Sequence, residues 1–200
     1  MNTIDDLAVA LARLPGIGPR QAKRFVFYLL AAPAAERARL AELLTALGKE
    51  VRQCPECLRF YNSTSATACN YCADPSRDDA LLMLVEKDQD LAAVERAGTY
   101  RGRYLVLGGV LTLSGKGAIR EKELIRAVET RSKKGLQEIV LALSATSEGE
   151  HTADRVRELL APFRQQLKVS ELGRGLATGS ELEYSDAETL RAALSNRHET

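Results

Sequence analysis

Apolar residues recur at helical spacing through the first fifty positions. Ile4, Leu7, Ala8 and Leu11 share one face of a helix predicted over Ile4–Leu14. Pro15-Gly16-Ile17-Gly18-Pro19 breaks that pattern, and Pro19 suits the first turn of a second helix, Pro19–Ala31. A third is predicted over Ala34–Leu47, with Gly48 as its terminator. Residues 54–72 are rich in Ser, Thr and Asn and poor in core formers, and Asp74-Pro75-Ser76 reads as a linker. Beyond it, short apolar runs alternate with amphipathic stretches. Strands are predicted at Leu81–Glu86, Tyr104–Leu107, Glu138–Leu143 and Leu167–Glu171, with helices at Leu91–Ala97, Glu121–Arg131 and Ala153–Ala161. That alternation predicts a mostly parallel sheet with right-handed crossovers. A last helix is predicted near Ser185, because Ser185 and Glu188 have capping-box spacing. The expected fold class is multi-domain α/β, divided into residues 1–52, 53–77, 78–172 and 173–200.

Composition narrows the functions this fold could serve. Apolar residues make up 45% of the chain, enough for a packed core and too many for a disordered protein. Trp is absent and aromatics are 5%, which argues against a binder that stacks many bases on aromatic platforms. The longest apolar runs, such as Leu81-Leu82-Met83-Leu84-Val85, stop far short of the roughly 20 residues a membrane span needs. Met1-Asn2-Thr3-Ile4-Asp5-Asp6 lacks the basic start and long apolar stretch of a signal peptide, so a soluble, cytoplasmic protein is expected. The net charge of +1 hides an asymmetry. Between Arg13 and Arg52 eight basic residues face three acidic ones, whereas from Gly173 onward three face five. A basic beginning and an acidic end fit an anionic partner and head-to-tail self-association, although plain surface scatter gives the same count.

The chain's four cysteines form two pairs, Cys54-Pro-Glu-Cys57 and Cys69-Asn-Tyr-Cys72, separated by eleven residues. Each pair can put two thiolates on one metal from a tight turn, and two pairs close a tetrahedral site of the kind that holds structural zinc. A segment so poor in apolar residues would take much of its folding energy from that ion. Two disulfides or a redox pair are an alternative that fits a cytoplasmic chain poorly, and an iron–sulfur cluster is another. Catalytic zinc is disfavoured, since four thiolates leave no open coordination position.

Gly16 and Gly18 permit positive φ and close approach of another backbone. The helix that follows offers free N–H groups to a phosphate oxygen, and Arg20, Lys23 and Arg24 lie on its first turns. Ile17 is expected to pack between the helices. This Gly-hydrophobic-Gly turn resembles the helix-hairpin-helix, which holds DNA by its phosphates without reading sequence. The plain alternative is an αα-corner in which glycine merely allows the turn; the adjacent basic residues favour the DNA reading.

Leu82-Met-Leu-Val-Glu86 ends a predicted strand on a carboxylate, and Ile139-Val-Leu-Ala-Leu-Ser144-Ala-Thr146-Ser-Glu148-Gly-Glu150 follows some fifty residues later. The pair resembles the Toprim domain of topoisomerases and primases, where a strand-end Glu and a later Asp-x-Asp gather divalent metal. Here Ser144 and Thr146 stand where the aspartates would be. Hydroxyls are weak neutral ligands for Mg²⁺, so Mg²⁺ is not expected as a cofactor even though Glu86, Glu148 and Glu150 remain. No motif marks a nucleophilic tyrosine, and Tyr100, Tyr104 and Tyr184 are expected to pack or to lie at surfaces.

Leu113-Ser-Gly115-Lys116-Gly117 lacks the first glycine and the terminal Ser or Thr of a phosphate loop, and reads as a mobile loop. His151 is expected on the surface at a helix start, and Lys133-Lys134 as solvated loop charge.

The order of glycine hairpin, four-cysteine module, Toprim sheet without its Asp pair, and Arg174-Gly-Leu-Ala-Thr-Gly179-Ser-Glu181-Leu-Glu183-Tyr resembles the RecR family over nearly the whole chain. Asp74-Pro-Ser-Arg-Asp78 and Tyr100-Arg-Gly-Arg-Tyr-Leu-Val-Leu-Gly-Gly109 add to the resemblance. It implies a non-catalytic mediator of recombinational repair that forms ring-like tetramers and works with RecO, and in many bacteria RecF. Such mediators help RecA load on gapped DNA coated by single-strand-binding protein. On this reading Gly16, Ile17, Gly18, Arg20, Lys23 and Arg24 contact DNA, Cys54, Cys57, Cys69 and Cys72 hold one structural Zn²⁺, and Glu86, Glu148 and Glu150 serve partner binding. Residues 1–52 are then the helix-hairpin-helix region, 53–77 the zinc finger, 78–172 the Toprim domain and 173–200 an oligomerisation segment. The rival is a Toprim nuclease or primase using Glu86, Glu148 and Glu150 with Mg²⁺; a pure protein adaptor would have no DNA affinity.

Overall fold

The computed structural model describes residues 2–63, 65–114 and 117–197. Gly115 and Lys116, two of the five residues of the expected mobile loop, lie outside the described residues. Two compact units divide the chain: residues 1–52 with 62–64, and residues 53–61 with 65–200. Among the described residues, no helix is long and apolar enough to cross a membrane.

The first unit holds helices α1 (Thr3–Leu11), α2 (Pro19–Ala31) and α3 (Ala34–Glu50). Asn2 caps α1 by accepting the Asp5 N–H on its side chain at 3.0 Å. The helix stops at Leu11 rather than Leu14, because the turn begins earlier: the Leu14 N–H reaches back only three residues, to the Leu11 carbonyl. Small residues let α1 and α2 pack closely, and Ala8, Ala22 and Val26 are buried. Helix α3 runs through Gly48 to Glu50, against the expectation that Gly48 ends it. A glycine in a helix interior costs only about 1 kcal/mol, and the Leu47 carbonyl still finds a partner in the Val51 N–H. Many large side chains here stay open, among them Phe27, Tyr28, Leu30, Leu44 and Leu47.

Strands β1 (Val51–Gln53) and β2 (Phe60–Asn62) flank the first cysteine pair, and the short helix α4 (Asn70–Ala73) carries the second. Then follow β3 (Asp78–Val85), α5 (Asp88–Ala97), β4 (Gly102–Val106), α6 (Glu121–Ser132), β5 (Glu138–Ala142), α7 (Ser147–Leu159), β6 (Lys168–Glu171) and α8 (Ala187–Ser195). Four of these strands form a wholly parallel sheet in the order β4-β3-β5-β6, with Leu84 paired to Leu105 on one side and Leu141 on the other. Side chains alternate across it. Leu82, Leu84, Leu105, Ile139 and Leu141 face α6 and α7 through Leu124, Val128, Ala153 and Val156, while Met83, Val85, Tyr104 and Val106 face Leu91 of α5. Burial on both faces is what makes these strands continuous apolar runs, and each fully buried leucine contributes roughly 1.5–3 kcal/mol.

Three helix starts differ from expectation. Helix α5 begins at Asp88, not Leu91, where the Asp90 carboxylate accepts the Lys87 N–H at 2.9 Å. Helix α7 begins at Ser147, not Ala153, because Thr146 caps it, its Oγ1 accepting the Gly149 N–H at 3.1 Å. Helix α8 is capped by Asp186, whose Oδ1 accepts the N–H groups of Glu188 and Thr189, each at 2.9 Å. The Ser185 hydroxyl instead turns back to the Glu181 carbonyl.

Candidate functional site

In the glycine turn, only Gly16 takes positive φ (77°). Gly18 is extended at φ −82° and serves as N-cap of α2, where it has no side chain to offer. No chain atom lies within 4 Å of where a Cβ on Gly18 would stand, so its smallness leaves the α2 N-terminus uncovered. The first helical bond runs from the Ala22 N–H to the Gly18 carbonyl at 2.9 Å. Pro19 has no N–H, and the amides of Gly18, Arg20 and Gln21 precede that bond without an intrahelical acceptor. Ile17 is half-buried, and its N–H donates to the Leu14 carbonyl at 3.1 Å, which fixes the turn. Arg20, Lys23 and Arg24 are all exposed beside these amides, and Arg24 makes only a long hydrogen bond to Gln21. The arrangement presents N–H donors, a helix dipole and three cations at one surface, which suits a phosphate.

The four cysteines converge. Their sulfurs lie within 4.8 Å of one another, Cys57 and Cys69 Sγ are 3.5 Å apart, and none is disulfide-bonded. A tetrahedral ion with metal–sulfur bonds of about 2.3 Å needs sulfur separations of about 3.8 Å, so the donor set fits one metal ion. Cys54, Cys57 and Cys69 are buried and Cys72 is partly so, which closes the site. Hydrogen bonds from Cys57, then Cys69 and Cys72, hold the Cys54 thiol below its ordinary pKa, and the Cys69 N–H points at Cys54 Sγ from 3.4 Å. The first turn is locked by the Cys54 N–H to the Arg59 carbonyl at 2.8 Å and the Leu58 N–H to the Cys54 carbonyl at 2.9 Å. Leu58 there adopts a left-handed φ of 64°.

The Toprim-like acids do not converge on an open metal position. Glu86 is 6% exposed, and its Oε1 accepts both the N–H and the hydroxyl of Ser144. Ser144 Oγ also lies 3.1 Å from Thr146 Oγ1. A Cβ on Gly149 would overlap the Ser144 carbonyl, so this glycine lets the strand end and helix start close together. Glu148 is exposed on the first turn of α7, and Glu150 is paired with Arg174. Glu86, expected to serve partner binding alongside Glu148 and Glu150, is thus held inside the chain while Glu148 is open to solvent. His151 is exposed on α7, and Lys133 and Lys134 are exposed beyond α6, as expected. Tyr104 is buried and Tyr100 packs against it with ring centroids 5.1 Å apart, while Tyr184 lies at the surface.

Two arginines tie this region together through contacts that no local pattern marks, although Arg103 itself lies in the Tyr100–Gly109 motif. Arg103 donates to the carbonyls of Tyr71 and Cys72, and Arg120 to those of Leu58 and Val106. The bonds to the cysteine turns span 31 to 62 residues, beyond any local pattern.

Three family profiles match parts of the chain. The family profile "RecR, helix-hairpin-helix" matches residues 4–47, "Toprim domain" matches 80–173, and "RecR, C-terminal" matches 175–198. A curated relative called recombination protein RecR, from Thermobifida fusca, is 41% identical over 199 residues, covering 98% of this chain and 96% of that protein. Relatives of the same name from Carboxydothermus hydrogenoformans (40% over 190 residues, 94% and 92%) and Cereibacter sphaeroides (40% over 194, 97% and 95%) are similarly close.

Proposed function

The chain belongs to the RecR family of recombination proteins, and from that premise we propose that it is a DNA-binding mediator of recombinational repair that acts by assembly rather than catalysis. The observation that carries the reading is the glycine turn, where open α2 amides and the exposed Arg20, Lys23 and Arg24 surround an uncovered Gly18. Gly16 shapes that turn, Ile17 anchors it, and the three cations hold phosphates without regard to sequence. A ring tetramer would multiply such weak contacts through effective concentration. The exposed apolar side chains of α2 and α3 support an oligomer that covers them.

The cysteine cluster holds one Zn²⁺ as a structural ion: thiolates select a soft or borderline cation, and four of them exclude a reacting water. When bound, the ion supplies folding energy and a fixed backbone, and no chemistry. Metal analysis under reducing conditions checks this, with one zinc per chain expected and less than about 0.5 counting against it. Glu148, with Glu150 beside it and Glu86 bracing the strand end below, offers an acidic surface to a basic partner such as RecO, and RecF where it is present. The outcome would be RecA loading on gapped DNA covered by single-strand-binding protein, in the cytoplasm. Catalysis with Mg²⁺ is disfavoured because Ser144 occupies the Glu86 carboxylate with its own donors.

The test is DNA affinity at several salt concentrations for the parent and for Arg20→Ala with Arg24→Ala. The double variant should bind more weakly to every sequence, with a salt slope smaller by about 2, one unit for each phosphate no longer neutralised. An unchanged slope and affinity would remove the hairpin from the DNA interface.

A further inference from the structure

Strand β4 is an edge of the parallel sheet, and an uncovered edge offers unpaired backbone groups to any other strand. The cysteine module covers the C-terminal end of β4. The Val106 N–H donates to the Cys57 carbonyl at 2.8 Å, directly joining strand and first cysteine turn. Leu58 packs against the core cluster on one face of the sheet, and Tyr71 against the cluster on the other. The module therefore straddles the edge rather than sitting on one side of it.

Two arginines fasten it there. Arg120 Nη1 bridges the Leu58 carbonyl at 2.9 Å and the Val106 carbonyl at 3.0 Å. The first of these carbonyls belongs to the one non-glycine residue with positive φ among the described residues, a conformation that needs outside support. Gln53 Nε2 donates to that same carbonyl at 2.9 Å. Gly108 makes room for the arginine, since a Cβ there would come within 2.9 Å of Arg120 Nε. At the second cysteine turn, Arg103 is 8% exposed, and its Nη1 holds the carbonyls of Tyr71 and Cys72 at 3.1 and 3.0 Å while its Nε pairs with Asp79 at 2.7 Å. Each cysteine turn thus has its backbone gripped by one guanidinium rooted in β4 or in the residue that precedes α6.

We propose that Arg103 and Arg120 are positioning residues for the metal centre: by holding the carbonyls of Leu58, Tyr71 and Cys72 they make metal retention and cover of the C-terminal end of β4 a single event. The proposal rests on reading the four cysteines as a zinc site. Loss of Arg103 strips the Tyr71 and Cys72 carbonyls of that donor, loss of Arg120 leaves the Leu58 carbonyl to Gln53 alone, and either loss frees one cysteine turn to leave the ion. Loss of the ion, in turn, releases the Val106 amide from Cys57.

The experiment is zinc release from the full-length protein to a chromogenic chelator, timed for the parent, Arg103→Ala, Arg120→Ala, Arg120→Lys and, as a surface control, Arg164→Ala. Zinc content of the parent, measured first, tests the metal reading by itself. Release should speed up at least about tenfold in both alanine variants, the scale of one missing charge-assisted hydrogen bond. Arg120→Lys should lie between, and Arg164→Ala should match the parent. Release rates within about twofold of a zinc-loaded parent would overturn the proposal. Should the alanine variants fail to fold, hydrogen exchange on the parent decides. Chelation should deprotect the Val106 amide while the β5 amides stay protected; a Val106 amide indifferent to chelation would also overturn it.

Discussion

Oε1 of Glu86 accepts both the backbone N–H and the hydroxyl of Ser144, each at 2.6 Å. The strand-end carboxylate is thereby turned into an internal brace between β3 and the start of α7. Where an aspartate would add a second negative charge and require a cation between them, serine supplies donors and needs none. Ser144→Asp should therefore destabilise the protein by about 2–4 kcal/mol through missing hydrogen bonds and like-charge repulsion at a buried site. Ser144→Asp with Thr146→Asp should regain part of that stability in millimolar Mg²⁺, while the parent's melting temperature stays indifferent to Mg²⁺. A parent stabilised by Mg²⁺ as strongly as the double variant would mean that the acids still form a metal site.

The two hairpin glycines should separate folding from binding. Gly16 sits at φ 77°, so Gly16→Ala should lower stability by about 1 kcal/mol whatever its effect on DNA. Gly18 is extended with open space around it, so Gly18→Ala should melt like the parent and yet bind DNA more weakly, because its methyl group stands where the phosphate must approach. Thermal melts and fluorescence anisotropy with a labelled duplex read the two effects. Equal DNA affinity of Gly18→Ala and parent would show that the phosphate does not come to this turn.

What was legible in the sequence was whatever has a local signature. Proline at the start of α2, the paired Cys-x-x-Cys turns and the unbroken apolar runs of β3 and β4 each follow from neighbouring residues. The start of α7 was not legible, because Ser147 to Thr152 has no apolar stripe; its buried positions are Gly149 and Thr152, small and polar residues that a hydrophobic period passes over. Nor could Glu86 be seen as buried, since its partner Ser144 is 58 residues away. The contacts of Arg103 and Arg120 belong with it: apart from Asp79, which pairs with Arg103, their acceptors are backbone carbonyls, which every residue has, so no residue type marks them.

The cap of α8 distinguishes two neighbouring residues. Asp186 accepts two backbone N–H groups and the Thr189 hydroxyl, and these bonds hold its carboxyl below the usual carboxylate range. Asn196, just past the helix, donates to the Arg174 carbonyl at 2.7 Å and ties the segment back on itself. Asp186→Ala should fray α8 and raise hydrogen exchange severalfold at Leu190–Ser195. Ser185→Ala should leave it unchanged. The reverse ranking would restore Ser185 as the cap.

Acid stability should depend on one half-buried carboxylate. Glu95 takes two bonds from Arg77, at 2.8 and 2.7 Å, and one from the Tyr104 hydroxyl at 2.6 Å. Burial pushes its pKa up, but Arg77 and then Tyr104 outweigh burial, and the net direction is below the ordinary 4.5. A folded-state pKa lower than the unfolded one contributes stability that is complete above the unfolded value and is lost as pH falls through the folded one. The parent should accordingly lose stability on acidification from pH 4.5 downward. Glu95→Gln should cost about 2–3 kcal/mol at pH 7, because Arg77, its side chain largely buried over the Tyr71 and Tyr104 rings, is left with only the more distant Asp74, at 3.8 Å, as counter-charge. Its deficit should then shrink as pH falls below about 4.5, since neutralising Glu95 takes the same charge from the parent. Urea midpoints at about pH 7, 5, 4 and 3 would show the two curves converging. A deficit that stays constant across that range would place the acid sensitivity of this protein on other carboxylates.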